Sequence, residues 1–158
     1  MKIKLGLSTH EFDLFLNTIQ FHKDTLQRVL NWVNDEMKHV EDNWYDKSQE
    51  IDILEMCQKS LDEIKNCNNF FNKVKGNNGI DEFDITDEEY NEMLKFIVEQ
   101  IYHAKNRIND FKEDRFGWGT SSCNKLIDNE AGYITVLNKV FDKYKGNNTY
   151  ELILEQLS

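Results

Sequence analysis

From Phe12 to Trp44 the chain contains neither Gly nor Pro, and its apolar residues return every three or four positions. Phe12, Ile19, Leu26, Val33 and Val40 share one heptad position. Phe15 and Val29 lie three residues further on, and Leu16, Leu30, Met37 and Trp44 four further on. In an α-helix this spacing gathers side chains on one wide face, whereas a strand repeats with period two. The whole chain lacks proline, the strongest helix breaker. One helix of about 35 residues would be about 50 Å long, and a stripe this wide suits a bundle helix between two neighbours. Ser8 and Glu11 have the spacing of a capping box that starts it. Lys23 interrupts the stripe, so a break near His22–Asp24 is compatible with the pattern.

Three further helices follow by the same reading. Leu54, Cys57, Leu61, Ile64, Phe71 and Val74 predict a helix over about 48–74, stopped by "KGNNG" at 75–79. Residues 80–86 read as a loop. Thr86 and Glu89 form a second capping-box pattern, ahead of Tyr90, Leu94, Ile97, Ile101, Ala104, Ile108 and Phe111. The fourth helix runs over about 121–145 with Ile127, Ile134, Leu137, Phe141 and Tyr144 inward, and Gly146 as its stop. Ile3, Leu5 and Leu7 alternate with polar or small residues, a short strand signal or an irregular arm. Asn148 or Thr149 caps a possible short last helix. The expected fold class is all-α: four long amphipathic helices in an antiparallel bundle, one domain over 1–158.

Charge narrows the function classes. Acids exceed bases by 29 to 19, a net charge of −10, and the excess is concentrated in residues 51–100, where the ratio is 12 to 5. A surface of this sign repels nucleic acid and anionic lipid. It suits a protein partner with a basic surface, including one that itself binds nucleic acid. No apolar run approaches the roughly 18 residues needed to span a bilayer. The N-terminus lacks the apolar core of a signal peptide. These features lead to an expected cytoplasmic location. Cys57 and Cys67 fall on one helix about 15 Å apart, too far for a disulfide, so the three cysteines are expected reduced. The 16 Lys against 3 Arg, with many Asn and Ile, fit AT-rich coding of a low-GC bacterium or its phage.

Motifs for chemistry are weak. Glu36 and His39 have the Glu-x-x-His spacing of a di-metal bundle site, but the nearest second pair, Glu99 and His103, is one residue too long and lies off the Tyr90–Leu94–Ile97 stripe. His22 lies on the inner stripe of the first helix and reads as a core histidine hydrogen-bonded across the bundle. Residues 75–84 fail as a calcium loop, because Lys73 and Lys75 would occupy ligand positions. Neither a phosphate-binding glycine loop nor a nucleophile–base pattern is present. The expectation is therefore no catalysis and no cofactor or metal.

Two features point to binding. Asp81, Glu82, Asp84, Asp87, Glu88, Glu89 and Glu92 place seven acids in twelve residues without one Lys or Arg. A helix N-terminus favours acids, which accounts for Asp87, Glu88 and Glu89 better than for Asp81, Glu82 and Asp84. Aromatic residues mark two turns: Trp44 and Tyr45 in "EDNWYDKS", Phe116 and Trp118 around Gly117 in "EDRFGWGTSS". They either plug the bundle's end or serve as exposed anchors for a partner. Thr120, Ser121 or Ser122 can cap the following helix. Alternating helices put both turns at one end, gathering the four rings, with the acidic loop at the other end. The expected function is a small acidic, non-catalytic protein-binding module, an anti-defence inhibitor from a phage or mobile element. It would occupy the basic nucleic-acid-binding surface of a host defence protein. The alternatives are a homodimeric or larger structural accessory subunit and a metal-dependent bundle enzyme.

Overall fold

A computed structural model describes residues 1–76 and 82–144. Asp81, Gly146 and the expected C-terminal helix at 148–158 lie outside the described residues. Four helices, α1 (Thr9–Glu41), α2 (Lys47–Gly76), α3 (Asp87–Lys112) and α4 (Thr120–Tyr144), form the antiparallel bundle. Each packs on its sequential neighbours, α4 closes back on α1, and α3 also touches α1. Two short strands, β1 (Lys2–Lys4) and β2 (Glu82–Asp84), pair antiparallel with Ile3 opposite Phe83.

The ribbon corrects the expected loop at 80–86. Glu82 and Asp84 point outward while Phe83 is buried, and the N-terminal strand finds in β2 the partner a lone strand requires. The Met1 amino group donates to the Ile85 carbonyl at 3.0 Å, and the Ile85 N–H donates to the Met1 carbonyl at 2.8 Å. Tyr144 ties the ribbon to α4 through the backbone of Lys4.

No break interrupts α1. His22 is buried and Lys23 half-buried, so the stripe is continuous on the inner side. The Ser8 hydroxyl accepts from the Glu11 N–H and the Glu11 carboxylate accepts from the Ser8 N–H, the predicted reciprocal cap. The second cap is only half built. Thr86 accepts from the Glu89 N–H, but the Glu89 carboxylate turns to Lys73 of α2 at 2.7 and 2.9 Å.

The core is denser at the ribbon end. Phe12, Phe15, Ile19, Phe70, Phe71, Val74, Phe83, Ile85, Val140 and Phe141 are buried there around α3. Phe96 stands edge-on to Phe15 at 5.9 Å and to Phe71 at 5.0 Å, a favoured arrangement for aromatic pairs. From Met93 to Ile101 only Lys95 and Glu99 of α3 escape full burial, so this stretch is enclosed on nearly every side. Towards the other end burial thins. Val33 is the one buried residue of α1 beyond His22, Cys57 the one buried residue of α2 before Cys67, Ala104 and Phe111 are those of α3 beyond Ile101, and Cys123 is that of α4 before Val136. Among the described residues no helix is long and apolar enough to cross a membrane.

Candidate docking surfaces

The turn between α3 and α4 presents its rings outward. Phe116 and Trp118 stack at 4.8 Å and rest on Phe111, yet remain 55% and 54% exposed. Their placement comes from Asp114. Its backbone is left-handed (φ 48°), and its carboxylate accepts from the N–H groups of Trp118 and Gly119. Gly117 (φ 70°) and Gly119 (φ 91°) take conformations that a side chain would strain. Asp114 thus holds the two residues ahead of α4 and also accepts from the Cys123 thiol in its first turn at 3.4 Å.

At the α1–α2 turn, Trp44 is 67% exposed. The helix stops at Glu41, so Trp44 leaves the stripe and stacks on His39 at 3.9 Å. Asn43 turns the chain in a left-handed conformation (φ 59°). The Tyr45 hydroxyl donates to Glu36 at 2.6 Å, and that carboxylate pushes the phenol's pKa up. Exposed Glu41, Asp42 and Asp46 surround the turn. The expected gathering of four rings is corrected. The two turns share an end of the bundle, but each ring set is satisfied within its own turn. Among the described residues no ring of one contacts a ring of the other.

The acidic residues lie at the opposite end. Glu82 and Asp84 occupy the outward positions of β2, and Asp87 and Glu88 are exposed in the first turn of α3. Lys2 approaches Glu82 at 3.4 Å. The 26 residues of α3 separate this patch from Phe116 by about 39 Å.

Sequence reasoning missed a polar cavity between α1, α2 and α3. It measures about 90 Å³, and its lining includes His22, Ser60, Glu63, Glu92, Lys95 and Glu99. The Gln100 amide pairs with His22 Nδ1 at 3.0 Å, and His22 Nε2 sits 3.7 Å from Glu99. Burial lowers the His22 pKa to about 4, with His103 and Lys95 adding to the shift. Burial raises Glu92 to about 7 and pushes Glu99 up. Lys95 bridges to Glu63 at 3.3 Å. The expectation for His22 holds. Glu99 lies off the Tyr90–Leu94–Ile97 stripe as expected, yet it is still half-buried, because α3 has a second inward side facing α1 and α2. The signal was Met93 and Phe96, which extend the apolar arc beyond one stripe, with polar Gln100 buried beside them.

Among the described residues no group of three or more His, Cys, Asp and Glu side chains is placed to hold a metal. Glu36 serves Tyr45 and lies 3.7 Å from His39. All three cysteines are free and buried, and burial raises each thiol's pKa. Exposed large apolar residues cluster in the turn-end half of the α1–α2 hairpin: Trp32, Met37, Trp44, Ile51, Leu54 and Met56. No protein-family model matches the chain, and neither curated proteins nor solved structures include a match to it, which leaves its function to be read from its own geometry.

Proposed function

We propose that the protein is a non-catalytic docking module whose turn end anchors a partner protein with a basic surface. The observation that carries this reading is the Phe116–Trp118 stack. Two large rings are more than half exposed and held in one geometry by Asp114. Exposed tryptophans are favoured anchors, and fixing them beforehand lowers the entropy lost on binding. Trp44, among Glu41, Asp42 and Asp46, offers a second anchor whose surroundings favour Arg or Lys. A typical interface covers about 800 Å² per partner, roughly 30 Å across. One such footprint does not span both ends of α3. Glu82, Asp84, Asp87 and Glu88 therefore act as a steering field, while the rings make the contact. The raised thiol pKa values and the weak motifs for chemistry support a role without catalysis. The AT-rich coding supports a phage or mobile-element inhibitor that occupies the nucleic-acid-binding surface of a host defence protein.

The test is affinity capture from a low-GC bacterial lysate with the wild type, Trp118→Ala, and a variant neutralised at Glu82, Asp84, Asp87 and Glu88. A basic protein is expected to be retained by the wild type, lost by Trp118→Ala, and captured more slowly by the neutralised variant. Retention should also fall towards 0.5 M salt, where the Debye length is about 4–5 Å. Equal capture by wild type and Trp118→Ala overturns the reading.

A further inference from the structure

We infer that the outer face of the α1–α2 hairpin, turned away from α3 and α4, is an interface between two copies of this chain. A groove of about 260 Å³ runs between the helices there, lined by Lys23, Leu26, Gln27 and Leu30 of α1 and by Ile64 and Asn68 of α2. At 100° per residue the same edge of α1 returns at Met37, seven residues past Leu30. The same edge of α2 returns at Leu61 and Leu54 before Ile64, with Ile51 beside Leu54. The helices are antiparallel and the groove sets Leu26–Leu30 of α1 beside Ile64–Asn68 of α2, so Met37 lies at the level of Leu54–Cys57. The groove therefore continues as an apolar strip towards the turn end. Met37, Ile51 and Leu54 remain 42%, 59% and 39% exposed on it.

Charge identifies the occupant. The chain as a whole carries −10, which opposes self-association over most of its surface. Along this strip helical register sets Lys23, Lys38, Lys47, Lys65 and Lys75 against Glu41, Glu50, Glu55 and Asp62, a nearly balanced edge. A basic partner gains little attraction here, whereas a second copy meets an apolar strip edged by both signs, as a two-fold interface requires. The area is sufficient. The 30 residues of α2 give a face about 45 Å long, and two packed helices are about 18 Å wide, so each copy offers about 800 Å², the standard share of a stable interface. An antiparallel arrangement keeps the two acidic ribbon ends apart by about a helix length, several Debye lengths at physiological salt.

This inference stands apart from the docking reading, because the strip does not include Phe116 or Trp118. Its test is light scattering after size exclusion, with the full chain loaded at about 100 μM. The expected mass is twice 18.8 kDa, falling to the single-chain value on dilution. Leu54→Glu and Ile51→Glu are each expected to lower the mass to that of one chain at the same loading, with the helical circular dichroism kept. Trp118→Ala should leave the dimer intact. Ile51 is exposed enough for its substitution to be tolerated by the fold, so it decides the matter if Leu54→Glu does not fold. A wild-type chain that is monomeric at about 100 μM overturns the inference, and so does a dimer that survives Ile51→Glu unchanged.

Discussion

At the ribbon end Phe12, Phe15, Phe70, Phe71, Phe83, Phe96 and Phe141 are all buried, whereas at the turn end Val33, Cys57, Ala104, Phe111 and Cys123 are the buried apolar residues of the four helices. Most exposed aromatics show the reverse distribution: Trp32, Trp44, Tyr102, Phe116 and Trp118 lie towards the turns, with Phe21 the exception in the ribbon-end half of α1. Most buried rings sit at one end and most exposed rings at the other. The dense end therefore supplies most of the burial free energy, since each fully buried Phe contributes about 1.5–3 kcal/mol. On the proposed docking reading the rings at the turn end are held for a partner, and folding is expected not to depend on them. A docking surface on a marginally stable molecule gains from that separation.

The largest expected effect sharpens this contrast. Phe71→Ala and Phe96→Ala each remove a ring from the cluster between α1, α2 and α3 and should destabilise by about 3–5 kcal/mol. Val33→Ala, at an equally buried position in the thin half, removes two methyl groups and should cost about 1.6 kcal/mol at about 0.8 per carbon. Urea unfolding followed by circular dichroism measures both. A Val33→Ala penalty equal to that of Phe96→Ala would erase the distinction between the ends.

Next in size is a pH effect confined to the cavity. His22 titrates near 4 in the folded chain against an ordinary 6.5. The unfolded chain therefore binds more protons in this window, and stability falls as pH drops from 6.5 through 4. The limit of that loss is about 3 kcal/mol. Glu92 has the opposite sign. Its folded pKa is raised to about 7 from 4.5, so the folded chain binds more protons between these values, and stability falls as pH rises from 4.5 through 7. His22→Gln should flatten the acid limb of a stability–pH curve. Glu92→Gln should flatten the limb between 4.5 and 7 and raise stability above pH 7. Unchanged limbs in both variants would remove the cavity from the account.

How much of this was legible in the sequence depends on how many partners each residue has. The cap formed by Ser8 and Glu11, the continuous stripe of α1 and the face of α3 towards α4 could be read because each depends on local spacing. The second inward side of α3 was hidden, since a helix with three neighbours no longer shows one clean stripe, and Lys95 and Glu99 sit within it as half-buried charges. β2 was hidden because a three-residue strand holds one inward side chain, Phe83, too few to show alternation. The shared end of the two aromatic turns followed from topology. Their lack of contact did not, because it depends on Trp44 finding His39 and Phe116 finding Trp118 within their own turns.

A smaller effect tests what holds the exposed rings. Asp114→Ala removes the acceptor for the N–H groups of Trp118 and Gly119 and places Ala at a left-handed position, where Asp is better tolerated. The loss should be about 1 kcal/mol, the scale of a missing helix cap. The near-ultraviolet dichroism of the stacked rings should collapse while the helical signal stays. All three tryptophans of the chain, Trp32, Trp44 and Trp118, lie towards the turns, so this signal reports on that end and not on the phenylalanine core.

The smallest effect on stability belongs to Trp118 itself, and it is the one that separates anchoring from packing. With half its surface in water and its ring resting on Phe116 and Phe111, Trp118→Ala should shift unfolding by no more than about 0.5 kcal/mol, the range of ordinary surface substitutions. A hot-spot tryptophan truncated to alanine costs about 2 kcal/mol or more in binding, roughly thirtyfold in affinity. A large loss of affinity beside an unchanged urea midpoint assigns the ring to the partner. A drop of several kcal/mol in stability would instead make the stack a plug for the bundle's end, and the turn end would then be as much a part of the core as the ribbon end.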